Sequence, residues 1–247
     1  MSKKTRVAIV TGSSRGIGRA VAQKLARDGF SIVVHGKENE SACQGVTTEI
    51  RQMGGDAIHV LADLGNHKDV ELLFRETHNA FGRIDVLVNN AATRPHCDFL
   101  EMDDADWHSV LSTNLDSAFW LLKMCVPEMI ERGWGRVVNF AGAQAIKGYV
   151  GAAHVSVSKH GLWGLTKSLA RELGPKGITM NIISPGPTGT GFEDSRTERM
   201  AKRWIKEIPT GRLGEPDDIA AIVSLLVSET GAVINGQMIQ ANGGIET

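Results

Sequence analysis

Seven short apolar runs recur along the chain: Val7-Ala8-Ile9-Val10, Ile32-Val33-Val34, Ile58 to Leu61, Val86-Leu87-Val88, Val137-Val138, Ile178 to Ile183 and Met238-Ile239. Runs that are apolar without strict alternation are buried on both faces, as in a parallel sheet covered by helices. Longer segments with helical spacing separate them, near 17–28, 40–53, 68–81, 104–132, 155–173 and 216–228. The alternation predicts an α/β fold, a doubly wound parallel sheet of about seven strands with helices on both faces. Right-handed crossovers then gather the loops at the carboxyl ends of the strands along one edge, where a ligand is expected. The least regular stretch, Pro185 to Arg212, follows the sixth run and holds several glycines, three prolines and mixed charge. Its length and place predict a substrate lid at about 186–212.

Composition narrows the class. The 247 residues suit one domain, 1–247, without a linker, repeat or low-complexity tract. Hydrophobic residues make up 42% and charged residues 22%, ordinary for a globular protein. A formal net charge of −1 gives no reason to expect a nucleic-acid partner. No apolar run approaches membrane-span length, and the N-terminus shows no signal-peptide core, so a cytoplasmic protein is expected. Cys43, Cys97 and Cys125 are too scattered for a disulfide framework and read as small packing residues. The eight histidines show no metal-ligand spacing.

The chemistry begins after the first run, at Thr11-Gly12-Ser13-Ser14-Arg15-Gly16-Ile17-Gly18. Glycines there let backbone approach a pyrophosphate, and the following helix offers free N–H groups and its positive dipole end. The TGxxxGxG spacing resembles the short-chain dehydrogenase/reductase family, of classical type and nearest in pattern to its 3-oxoacyl-acyl-carrier-protein reductase-like members. Other stations agree in order: Asp63 in Ala62-Asp63-Leu64, Asn89-Asn90-Ala91-Ala92 for NNAG, Asn114 in the long fourth helix, and Lys159 in Ser158-Lys159-His160-Gly161. Pro185-Gly186-Pro187-Thr188-Gly189-Thr190 matches PGxxxT, and Gly214-Glu215-Pro216 and Asn242-Gly243-Gly244 match the C-terminal signatures. The resemblance spans the chain. It implies a Rossmann-type fold that holds a nicotinamide dinucleotide through Gly12, Ser14, Arg15, Gly16, Ile17, Gly18, Asp63, Leu64, Asn90, Ala91, Lys159, Pro185, Gly186, Thr188 and Thr190.

An acid at the end of the second strand would select NAD(H) by accepting from the ribose 2′-hydroxyl and repelling a 2′-phosphate. In the family's register that position is Gly36, followed by Lys37, with Arg15 in the glycine loop. Two cations favour a phosphate dianion, so NADP(H) is the expected cofactor. Glu38 next door leaves NAD(H) open.

The family places a proton-transferring tyrosine four residues before the lysine, and a substrate-binding serine thirteen residues before that tyrosine. Here those positions are Val155 and Gly142, so the resemblance leaves Asn114 and Lys159 of the catalytic set. Valine cannot transfer a proton, and glycine has no side chain to polarise a carbonyl. General acid–base help is worth about 10²–10⁴-fold. Candidate replacements are His154, Tyr149 (the only tyrosine), His96, Ser156, Ser158 and Lys159 itself, and each also has an ordinary packing or surface role. His154 stands about 100° round the helix from Val155. Three functions stay open: an oxidoreductase with a non-standard proton donor or an undemanding substrate such as an iminium ion, a non-redox lyase or hydrolase, and a silent NADP(H)-binding protein. Expected partners are a small-molecule substrate and further copies of the chain, as a homodimer or homotetramer.

Overall fold

The computed structural model describes residues 5–189 and 195–246. Seven parallel strands, β1 Val7–Val10, β2 Ser31–Gly36, β3 Ala57–Leu61, β4 Val86–Asn89, β5 Gly135–Phe140, β6 Ile178–Pro185 and β7 Met238–Ala241, form one sheet in the order β3-β2-β1-β4-β5-β6-β7. The helices are α1 Gly16–Arg27, α2 Glu40–Gln52, α3 His67–Phe81, α4 Asp104–Leu111, α5 Ser117–Glu131, α6 Ala153–Leu173, α7 Ser195–Glu207 and α8 Pro216–Val227.

Period-two alternation decides which layer each strand residue meets. Ala8 and Val10 pack with α1, α2 and α8, while Val7 and Ile9 pack with α3, α5 and α6. Both faces are therefore buried, which explains the unbroken apolar runs. Strand order reverses between β1 and β4, whose paired residues run Ala8 with Val86 to Val10 with Val88. The crevice beyond their carboxyl ends is the topological switch point, where ligands bind in open α/β sheets.

Two elements depart from the expectation. The segment 104–132 is not one helix, because a π-turn at Ser112–Asp116 separates α4 from α5. The stretch read as irregular contains the 13-residue α7. Its apolar residues Ala201, Trp204, Ile205 and Ile208 recur at helical spacing, a signal outweighed in the sequence by flanking glycine and proline. No described helix is long and apolar enough to cross a membrane.

Candidate functional site

A groove of about 710 Å³ opens at the switch point. Of the residues expected to bind a cofactor, Gly12, Ser14, Arg15, Gly16, Ile17, Gly18, Lys37, Asp63, Leu64, Asn90 and Ala91 line it. The loop is set by the side chains of Asn90, just after β4, and Thr11, just after β1. Asn90 donates through Nδ2 to the carbonyls of Thr11 (2.9 Å) and Gly12 (3.0 Å), and Thr11 Oγ1 accepts from the backbone N–H groups of Asn90 and Ala91. A Cβ at Gly18 would lie 2.2 Å from the Gly12 oxygen, so no larger residue lets α1 start this close to the loop. Asn39, Asn66 and Asp103 cap α2, α3 and α4 with their side chains, whereas Arg15 makes no side-chain cap on α1. The first turn of α1 thus keeps N–H groups for an anion at the groove.

The groove floor holds a residue that the sequence reading missed. His35, 2% exposed, accepts from the Gly12 N–H through Nδ1 (3.0 Å) and lies 3.0 Å from the Ala62 carbonyl through Nε2. An acceptor at Nδ1 and a carbonyl at Nε2 fix the neutral Nε2–H tautomer. Burial draws the His35 pKa down to about 4. The ring joins the ends of β1, β2 and β3. A polar residue inside an otherwise apolar buried run was the available signal.

Where β2 and β3 end beside the groove, Lys37 Nζ lies 2.9 Å from Asp63 Oδ2. Each holds the other charged: the Lys37 bond draws the Asp63 carboxyl below its usual range, and the Asp63 bond raises Lys37. Lys37 is therefore not a free cation, and a 2′-phosphate would share it with Asp63. Gly36 is buried, and a Cβ there would lie 2.5 Å from the Cys43 sulfur.

Lys159 lies outside the lining of the groove: it is 2% exposed and donates to the Phe140 carbonyl (2.8 Å). Desolvation, with the nearby Arg94 charge adding to it, draws its pKa down to about 7. Asn114 sits in the π-turn, a distortion frequent at functional sites. Its amide clamps the Thr93 peptide, accepting from Thr93 N–H (2.8 Å) and donating to Thr93 O (2.9 Å), and Nδ2 also reaches Ser158 Oγ (3.2 Å). Ser158 donates to the Val155 carbonyl (2.8 Å). A buried relay from Asn89 Nδ2 to Asn139 Oδ1, and from Asn139 Nδ2 to Thr166 Oγ1, fastens α6 to β4 and β5 (2.8 and 2.9 Å).

Val155 is 1% exposed, so the position one turn before Lys159 on the same helix face is a packed wall rather than open space. Gly142 has φ 115°, a backbone that disfavours any side chain. His154 is fully buried, and its Nε2 finds no partner among the described residues. Ser156 Oγ is likewise buried and unpartnered there. Tyr149 is 43% exposed, near Lys147, and lines a second groove with Cys97, Phe99 and Val150. His96 is pinned over Gly151. None of these residues lines the main groove, nor do the expected Asn114, Lys159, Pro185, Gly186 and Thr188, whereas Arg94 does. Gly186 and Thr188 are held by the C-terminal segment: Gly186 N–H donates to Ala241 O (3.0 Å), and Thr188 bridges to Gly214. Pro185 closes β6. Thr190 and residues 191–194 of the expected lid lie outside the described residues.

The family model described as enoyl-(acyl carrier protein) reductase matches residues 12–246. The 3-oxoacyl-[acyl-carrier-protein] reductase of Aquifex aeolicus is 38% identical over 97% of both chains. That of Staphylococcus aureus is 34% identical over 98% of this chain and 99% of its own. Nodulation protein G of Azospirillum brasilense is 34% identical over 99% of both.

Proposed function

Since the chain belongs to the short-chain dehydrogenase/reductase family, we propose that it is an NADP(H)-dependent oxidoreductase of atypical active site, acting on a small molecule without the family's serine and tyrosine. The observation that carries the reading is the groove at the switch point, where a closely packed glycine loop meets an α1 that makes no side-chain cap at its N-terminus. Those features suit a pyrophosphate. Arg15 and Lys37 flank the position beside Gly36, where a 2′-phosphate would lie. When bound, NADP(H) supplies or accepts the hydride. Lys159 is the one buried amine among the described residues, and a pKa of about 7 lets Nζ give or take a proton near neutrality. Asn114 and Ser158 keep α6 and the Thr93 peptide in register around it. Gly142 and Val155 offer no second donor, which favours a substrate that needs little acid help, such as an iminium ion.

Titration calorimetry tests the cofactor. NADPH should bind about tenfold more tightly than NADH, the worth of one charge-assisted contact, and Lys37→Asp should narrow the gap. Equal affinities would overturn the preference. A redox screen of ketones, imines and alcohols tests the chemistry. NADPH binding without turnover on any of them would favour a silent binding protein. The same reading includes self-association, supported by the exposed Phe119 on α5 and Val157 on α6.

A further inference from the structure

The backbone of the glycine loop changes character after Ser13. Thr11 N–H donates to the Val88 carbonyl (3.0 Å), Gly12 N–H to His35 Nδ1 (3.0 Å) and Ser13 N–H to the His35 carbonyl (2.9 Å). The next five N–H groups, from Ser14 to Gly18, find no partner among the described residues. Two of the three held groups are thus held by one residue of the neighbouring strand. We propose that His35 is a positioning residue for the dinucleotide: by taking the Gly12 N–H, its imidazole fixes the loop so that the N–H groups beyond it face the pyrophosphate.

Three observations support the role. First, Gly12 is the joint of the loop. Its φ of +63° is a conformation that glycine adopts far more readily than other residues. Thr11 on one side is tied to β4, and Ser13 on the other is tied to β2. The Gly12 peptide is gripped between those strands, its N–H by His35 and its carbonyl by Asn90 Nδ2 (3.0 Å). Second, the ring cannot shift. His35 N–H donates to Ser13 Oγ (2.9 Å), which donates to the Val10 carbonyl (2.6 Å), and Nε2 lies 3.0 Å from the Ala62 carbonyl. Nδ1 is left with its lone pair toward Gly12. Third, packing does not call for an imidazole there. His35 follows the buried Ile32, Val33 and Val34, and desolvating a polar ring costs what an aliphatic side chain would not. Both contacts that offset the cost go to backbone of groove-lining residues, Gly12 and Ala62.

The inference deepens the oxidoreductase reading and rests on it only in naming the anion a dinucleotide pyrophosphate. Asparagine and glutamine divide the two contacts of the ring. His35→Asn sets an amide oxygen where Nδ1 lies and keeps the Gly12 contact, whereas the amide of His35→Gln reaches the place of Nε2 and keeps the Ala62 contact. The backbone bonds to Ser13 survive in both. Each variant loses one contact, so both should melt below the unmodified protein by circular dichroism. By calorimetry, NADPH affinity should fall about fivefold in His35→Gln and stay within about twofold in His35→Asn. A role confined to stability would make affinity follow the melting temperature in both. Equal affinities for the two variants, or the greater loss in His35→Asn, overturn the proposal. Two readouts on the free protein need no cofactor. Nitrogen NMR of the unmodified protein at pH 7 should show His35 as the neutral Nε2–H tautomer, and Gly12 amide exchange should speed up in His35→Gln but not in His35→Asn. A proton on Nδ1, or unchanged Gly12 exchange in His35→Gln, also overturns it, and the tautomer decides if neither variant folds. The expected tautomer and exchange in a protein that binds no NADPH uphold the loop anchor and refute the cofactor reading instead.

Discussion

Single side chains set the chemistry of the groove, and two of them have measurable consequences. His35 is buried neutral, with a pKa near 4 against 6.5 in the unfolded chain. Between those values the unfolded state binds more protons, so stability falls as pH drops from 6.5 toward 4. The loss reaches about 3 kcal/mol across the window. Urea titrations from pH 7 to pH 4 should show it, and His35→Gln should flatten that part of the curve. An unchanged slope in the variant would mean another group dominates. Gly142 bears on whether a conventional site can be rebuilt. At φ 115° a side chain is strained by about 1–3 kcal/mol. Gly142→Ser should therefore lower the urea midpoint, and adding Val155→Tyr should lower it further, because Val155 is already packed. A midpoint equal to that of the unmodified protein would show that the loop relaxes freely.

Between elements, the contact of β2 with α2 decides what side chain position 36 can hold. A carboxylate at Gly36 would turn the site toward NAD(H), but its Cβ would meet the Cys43 sulfur at 2.5 Å. Gly36→Asp alone should destabilise the protein by about 1–3 kcal/mol, the range of an overpacked core. Gly36→Asp with Cys43→Ala should recover much of that and bind NADH in preference to NADPH. If the single variant is as stable as the double, Cys43 does not police the position. The π-turn is the other element-level decision. Periodicity reads 104–132 as one continuous helix, since a π-turn interrupts the apolar spacing by only a single extra residue. Only the chain's path shows that Asn114 is turned toward Thr93 and Ser158 there.

For the whole molecule, the open question is assembly. The parallel sheet is buried on both faces by its own helices. Part of the apolar surface left exposed is on α5 and α6, where Phe119 is 47% and Val157 46% exposed. Closed two-fold pairing through these helices is the expected outcome. Multi-angle light scattering should give a dimer or tetramer at micromolar concentration, and Phe119→Glu with Val157→Glu should shift it toward smaller species. A monomeric unmodified protein would refute the expectation.

The sequence by itself determined the seven parallel strands, because a strand covered on both faces must be apolar at nearly every position, and that pattern survives without any knowledge of neighbours. It also determined the glycine loop, since backbone packing at Gly18 is a local demand of one turn. The spacing of Ala201, Trp204 and Ile205 signals α7, but glycine and proline nearby outweigh it, so the stretch reads as irregular. The tertiary structure alone decided the electrostatics. Lys37 meets Asp63, His35 bridges Gly12 and Ala62, and Lys159 is buried against the Phe140 carbonyl. Right-handed crossovers bring such residues to one edge, but charge pairing and desolvation depend on ångström distances there. A pattern along the chain carries no such distances.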